Sequence, residues 1–123
     1  MLDHDAFWRG ASLFDRGEFF DAHEAWEERW RVTEDLGERQ LLQGLIQVTA
    51  AFHKLFVRQS LDSAQRLLAR GLAKLEASPE LVDGFDLANF RAGLRQCGAD
   101  LPATQLDRSR LPRMGVVERP GSG

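Results

Sequence analysis

Apolar residues recur along most of this chain at three- and four-residue steps, the period of helices rather than strands. Phe7, Ala11 and Phe14 make the first stripe, predicting a helix from about Asp5 to Asp15 that Arg16-Gly17 ends. A second helix is predicted from about Glu18 to Val32, followed by the short polar connection Glu34-Asp35-Leu36-Gly37. The third, from about Glu38 to Arg58, is apolar round most of its circumference, carrying Leu41, Leu42, Leu45, Ile46, Val48, Phe52, Leu55, Phe56 and Val57. A helix greasy on most sides belongs in the middle of a bundle. Ser60 is placed to cap a fourth helix with the stripe Leu61, Ala64, Leu68, Gly71/Leu72 and Leu75, which Ser78-Pro79 stops. Asp86 is placed to cap a fifth, with Leu87, Phe90, Leu94 and Cys97 on one side.

After Gly98 the pattern fails. Pro102, Pro112, Pro120 and three late glycines predict an extended or disordered tail over residues 102–123, leaving one helical domain at 1–101. No alternating run of β-branched residues signals a strand. Short connections make consecutive helices antiparallel neighbours, so the expected fold class is all-α, an up-and-down bundle of about five helices. Leu13-Phe-x-x-Gly17-x-Phe-x-x-Ala22 looks like the helical hairpin of a tetratricopeptide unit, faintly echoed at Ser60–Ala64. Ala22 and Ala64 are 42 residues apart, whereas a true repeat has a period of about 34. The hairpin likeness is therefore architectural.

Composition adds exclusions. The formal charge is −3 and the basic residues are scattered among acidic ones, so no nucleic-acid partner is expected. No basic start followed by an apolar run suggests a leader, and no segment approaches the ~20 apolar residues of a membrane span. The expectation is a cytoplasmic protein with no membrane partner. Cys97 is the only cysteine, which excludes an internal disulfide and a thiolate metal site and reads as a buried spacer.

The densest chemistry lies in the second helix. At 100° per residue, Phe19, His23, Trp26, Glu27 and Trp30 share one side, so an imidazole and a carboxylate occupy the face that two tryptophans mark as buried. Burying such groups is costly unless they are hydrogen-bonded. The third helix offers Gln43 and Gln47 one turn apart, with Gly44 permitting close helix approach. Counting antiparallel from a turn near residues 34 and 35 sets Glu27 level with 42 or 43 and His23 level with 46 or 47. The sequence thus predicts a His23/Glu27/Gln43/Gln47 cluster between helices two and three, with Trp30 beside it. Glu24, Trp26 and His53 are secondary candidates.

Taken together, Gly17-x-Phe-Phe-x-x-His-Glu-x-Trp-Glu-x-x-Trp30, Leu42-Gln-Gly-Leu-Ile-Gln47 and then His53 resemble the family called domain of unknown function 309, over roughly residues 7 to 76. The resemblance implies a compact all-helical fold of small bacterial and archaeal proteins and brings no catalytic roles.

Several functions fit this cluster. His23-Glu24-x-x-Glu27 is similar to the zincin motif, with Glu27 where that motif has its second histidine. His53 sits about 10 Å further along the axis than His23, too far for one ion to bridge, so no metal and no cofactor are expected. An acid/base or metal-assisted hydrolase using His23 and Glu27 is the enzymatic alternative, with no nucleophile motif around Ser12, Thr33, Thr49 or Cys97 to support it. A network that fixes helix register is the structural reading, in which the four polar groups satisfy one another. The favoured function is a small binding or interaction module without catalysis, for a protein or small-molecule partner. A homodimer through exposed aromatic surface stays open.

Overall fold

The computed structural model describes residues 3–79, 82, 84–101 and 111–115. Five helices make up the described chain: α1 (His4–Asp15), α2 (Phe19–Val32), α3 (Leu36–Phe56), α4 (Leu61–Glu76) and α5 (Leu87–Asp100). Each packs on its neighbours in sequence, and no strand occurs among the described residues. The protein is all-α, as its periodicity requires.

Local signals set most helix ends. Asp3, Asp35 and Asp86 occupy N-cap positions and accept from the backbone N–H groups of Ala6, Glu38 and Asn89 at 3.0, 2.8 and 2.9 Å. Ser60 holds the same position on α4, but its hydroxyl makes no capping bond. Gly17 adopts φ 79°, which lets the chain leave α1 left-handed while Gly17 and Glu18 N–H close onto Phe14 and Leu13 carbonyls. One boundary differs from expectation. α3 begins at Leu36, not near Glu38, because Asp35 caps it and takes Leu36 and Gly37 into the first turn.

The core is aromatic. Trp26 of α2 is fully buried and donates its indole Nε1–H to the Phe7 carbonyl at 3.0 Å. Phe14 of α1 lies 5.5 Å from Phe19, 6.0 Å from Phe52 and 5.6 Å from Phe90 between ring centroids, tying four helices into one cluster. Trp8 flanks it, edge-on to Phe7 and Phe85.

α3 and α4 cross at glycines. A Cβ on Gly71 would lie 2.8 Å from the Gly44 carbonyl oxygen, and one on Gly44 would lie 2.8 Å from Leu75 Cδ2. Gly44 does permit a close helix approach, and the helix it admits is α4 rather than α2.

Of the predicted tail, residues 102–110 and 116–123 lie outside the described residues. Residues 111–115 run without helix along the bundle, where buried Met114 donates its backbone N–H to Asp15 Oδ1 at 2.7 Å. No helix among the described residues is long and apolar enough to cross a membrane.

Cys97 is buried in α5, and burial pushes its thiol up to about 11. Thiolate is the reactive form. We therefore expect Cys97 to resist a thiol-specific reagent at pH 8 in the native protein and to react promptly in denaturant; prompt native labelling would contradict this burial.

Candidate functional site

α2 is amphipathic, with Phe19, Ala22, Ala25 and Trp26 buried and the charged positions turned outward. His23 and Glu27 lie at the edge between the two faces, with side chains 27% and 24% exposed. They are therefore not sealed in the core. One turn of helix brings their side chains together, His23 Nδ1 lying 3.3 Å from Glu27 Oε2. Glu24, which is half exposed, reaches back so that its Oε1 lies 3.6 Å from the same nitrogen. Ligand atoms of His23, Glu24 and Glu27 all fall within 4.8 Å of one another.

The two oxygens of Glu27 have different partners. Oε1 accepts from Arg31 Nη2 at 2.5 Å, while Oε2 faces the imidazole. His23 Nδ1 is itself shielded from solvent and makes no hydrogen bond of acceptable geometry. His23 Nδ1 thus lies within 3.6 Å of two carboxylate oxygens without a hydrogen bond to either.

The amides lie elsewhere. Gln43 and Gln47 line a groove between α3 and α4 together with Arg70 and Lys74. Among the described residues no hydrogen bond joins either glutamine to His23 or Glu27, and Gln47 Oε1 is buried without a partner. The mutually satisfied four-group network is not formed. Matched height along antiparallel helices was not enough, because rotation about the α3 axis decides which neighbour a side chain meets.

Trp30 is half-buried under the Arg39 guanidinium, which sits 4.5 Å from its ring centroid. Trp26 is structural, locked by its bond to Phe7. His53 stays outside the cluster, its ring 5.8 Å from that of Phe20.

A second polar centre was not foreseen in the sequence. Glu38 is completely buried at the start of α3, where four donor atoms from three residues serve its carboxylate. Arg29 Nε donates to both oxygens at 3.1 Å and Arg29 Nη2 to Oε1 at 2.9 Å. The Thr33 hydroxyl donates to Oε1, and the Asp3 backbone N–H donates to Oε2 at 2.7 Å. Burial alone would raise the Glu38 pKa, but the bonds from Arg29, Thr33 and Asp3 outweigh it and hold the carboxyl below its ordinary value. Hydrogen bonding to Glu38 raises the Arg29 pKa in turn. The pairing Asp35-x-x-Glu38, a cap followed three residues later by glutamate, is the one sequence signal that marks this position.

A family model described as a domain of unknown function (DUF309) matches residues 7–67. Those residues are a DUF309 domain. It contains the whole His23/Glu24/Glu27 cluster, Glu38, and both glutamines, and it ends within α4. A comparison with curated proteins finds no match. The fold of the DUF309 domain thus places one water-accessible donor cluster on α2 and one buried carboxylate between α1, α2 and α3.

Proposed function

We propose that the DUF309 domain is a binding module and that His23, Glu24 and Glu27 seat a divalent transition-metal ion. One observation carries this: the solvent-shielded, unpartnered His23 Nδ1 lying 3.3 and 3.6 Å from two carboxylate oxygens. One imidazole and two carboxylates suit borderline ions such as Zn²⁺ or Fe²⁺ and the harder Mn²⁺. Arg31 serves as the outer anchor, holding Oε1 of Glu27 so that Oε2 is presented beside the imidazole. Glu24, half exposed, leaves the outer side open to further ligands from solvent or partner.

Binding is favoured over catalysis because three of the four potential nucleophiles named above, Ser12 being the fourth, are committed or inert. The Thr33 hydroxyl is held by Glu38, that of Thr49 by the Ile46 carbonyl at 2.8 Å, and the Cys97 thiol is buried.

The test is thermal unfolding of tag-free protein with and without Zn²⁺, Mn²⁺ or Ni²⁺. At a metal concentration a hundred times the dissociation constant, stabilisation of about 2.7 kcal/mol is expected. His23→Ala and Glu27→Gln should lose the metal response, and Glu24→Gln should weaken it. An unchanged midpoint at millimolar metal, or an undiminished response in His23→Ala, ends this reading.

A further inference from the structure

The groove between α3 and α4 has a volume of about 690 Å³, within the size range of ligand sites. Its polar lining is Arg39, Gln40, Gln43, Gln47, Arg70 and Lys74, and no carboxylate takes part. That is unusual in a chain with 19 acidic and 16 basic residues. Three exposed arginines outside the groove are paired, Arg9 with Glu28, Arg66 with Asp62 and Arg95 with Glu76, while exposed Arg58 has no ion pair among the described residues. Among the described residues, Arg39, Arg70 and Lys74 form no ion pair.

We propose that this groove binds an extended acidic peptide segment of a partner protein. The three cations supply charge complementarity. Arg39 is already fixed, stacked on Trp30 and donating to the Trp30 and Thr33 carbonyls at 2.9 and 3.1 Å, so little ordering is required of it. The amides select a peptide over a simple anion. Gln43 and Gln47 carry both amide N–H donors and carbonyl acceptors, the complement of the C=O and N–H groups of a peptide backbone. Gln43 and Gln47 are one helical turn apart, about 6 Å along the axis. Alternate residues of an extended strand repeat at about 6.6 Å, so successive backbone amides on one edge meet the two side chains in step. From Arg39 to Gln47 the groove runs about 12 Å, the length of roughly four extended residues. Arg70 and Lys74 lie beyond the segment that matches the DUF309 model, so this site draws on α4 residues outside the matched domain.

The experiment is fluorescence anisotropy of the full chain with a labelled hexapeptide alternating glutamate and alanine. Probes for comparison are the lysine/alanine counterpart, an oligothymidylate and inorganic phosphate as competitor. Saturable binding of the acidic peptide is expected, lost on the lysine version and weakening with salt. Arg70→Glu/Lys74→Glu should weaken it roughly tenfold or more, and Gln43→Ala/Gln47→Ala roughly threefold, with melting temperatures close to wild type. Absent saturation, or equal binding by the charge-reversed variant, overturns the proposal. So does binding of oligothymidylate or phosphate as tight as that of the peptide, which would make the groove a general anion surface. An amide variant that binds like wild type removes the backbone recognition on which the peptide assignment stands. Because His23 is untouched in every variant, these outcomes are separate from those of the metal test.

Discussion

Glu38→Ala is expected to lower the unfolding free energy by about 3 kcal/mol, measured by urea denaturation at pH 7. The side chain has no exposure and its carboxylate accepts bonds from Arg29, Thr33 and the Asp3 backbone. Removing it strands a guanidinium, a hydroxyl and a backbone N–H that α1, α2 and the α2–α3 turn had all turned inward. Arg29 retains 27% side-chain exposure and regains part of its hydration, which keeps the loss at the low end for a broken buried pair. The effect also has a pH signature. The Glu38 pKa is depressed in the folded protein from 4.5, so its contribution is fully present above that value and disappears as pH falls through the lower folded pKa. Stability of the wild type should therefore drop more steeply on acidification below about pH 4.5 than that of Glu38→Gln. Parallel acid profiles for the two proteins would show that Glu38 is not the linked group.

Gly71→Ala is expected to destabilise the fold by about 2 kcal/mol, against the usual direction for this change in a helix. Inside an exposed helix, alanine is favoured over glycine by about 1 kcal/mol. At Gly71 the added Cβ lies 2.8 Å from the Gly44 carbonyl oxygen and 3.0 Å from the Val48 backbone nitrogen. Backbone atoms cannot swing away as a side chain can, so α3 and α4 must separate and the packing of Leu75 and Val48 loosens. Gly98→Ala is the control. That glycine is exposed on α5 and its Cβ would meet only Leu68 Cδ2 at 3.8 Å, so propensity alone acts and the variant should be neutral or slightly more stable. Thermal melts that place both variants on the same side of wild type would refute a backbone-limited crossing.

The candidate site was legible in the sequence to unequal degrees. His23 and Glu27 met because four residues in a helix make one turn, a relation that needs no knowledge of the partner helices. Glu24, a secondary candidate in the sequence, is half exposed, yet its reach back to His23 turns a pair into a donor triad. The pairing of these residues with Gln43 and Gln47 required a rotational setting of α3, and antiparallel counting fixes height but not rotation. Glu38 escaped notice for a related reason. A capping signature explains a glutamate locally, whereas the chain start, Arg29 and Thr33 converge on it only once α1 and α2 are in place.

What the linear pattern determined by itself was the number of helices, most of their limits and the aromatic core, because periodicity, caps, glycine and proline act within one or two turns of backbone. What the folded arrangement alone decided was which face of α3 meets α2 and which meets α4. That choice rests on the Gly44–Gly71 approach and on the packing of rings such as Phe14, Phe52 and Phe90. Side-chain volume between helices, a property of pairs rather than of positions, set the destination of every polar group that is not paired within its own helix.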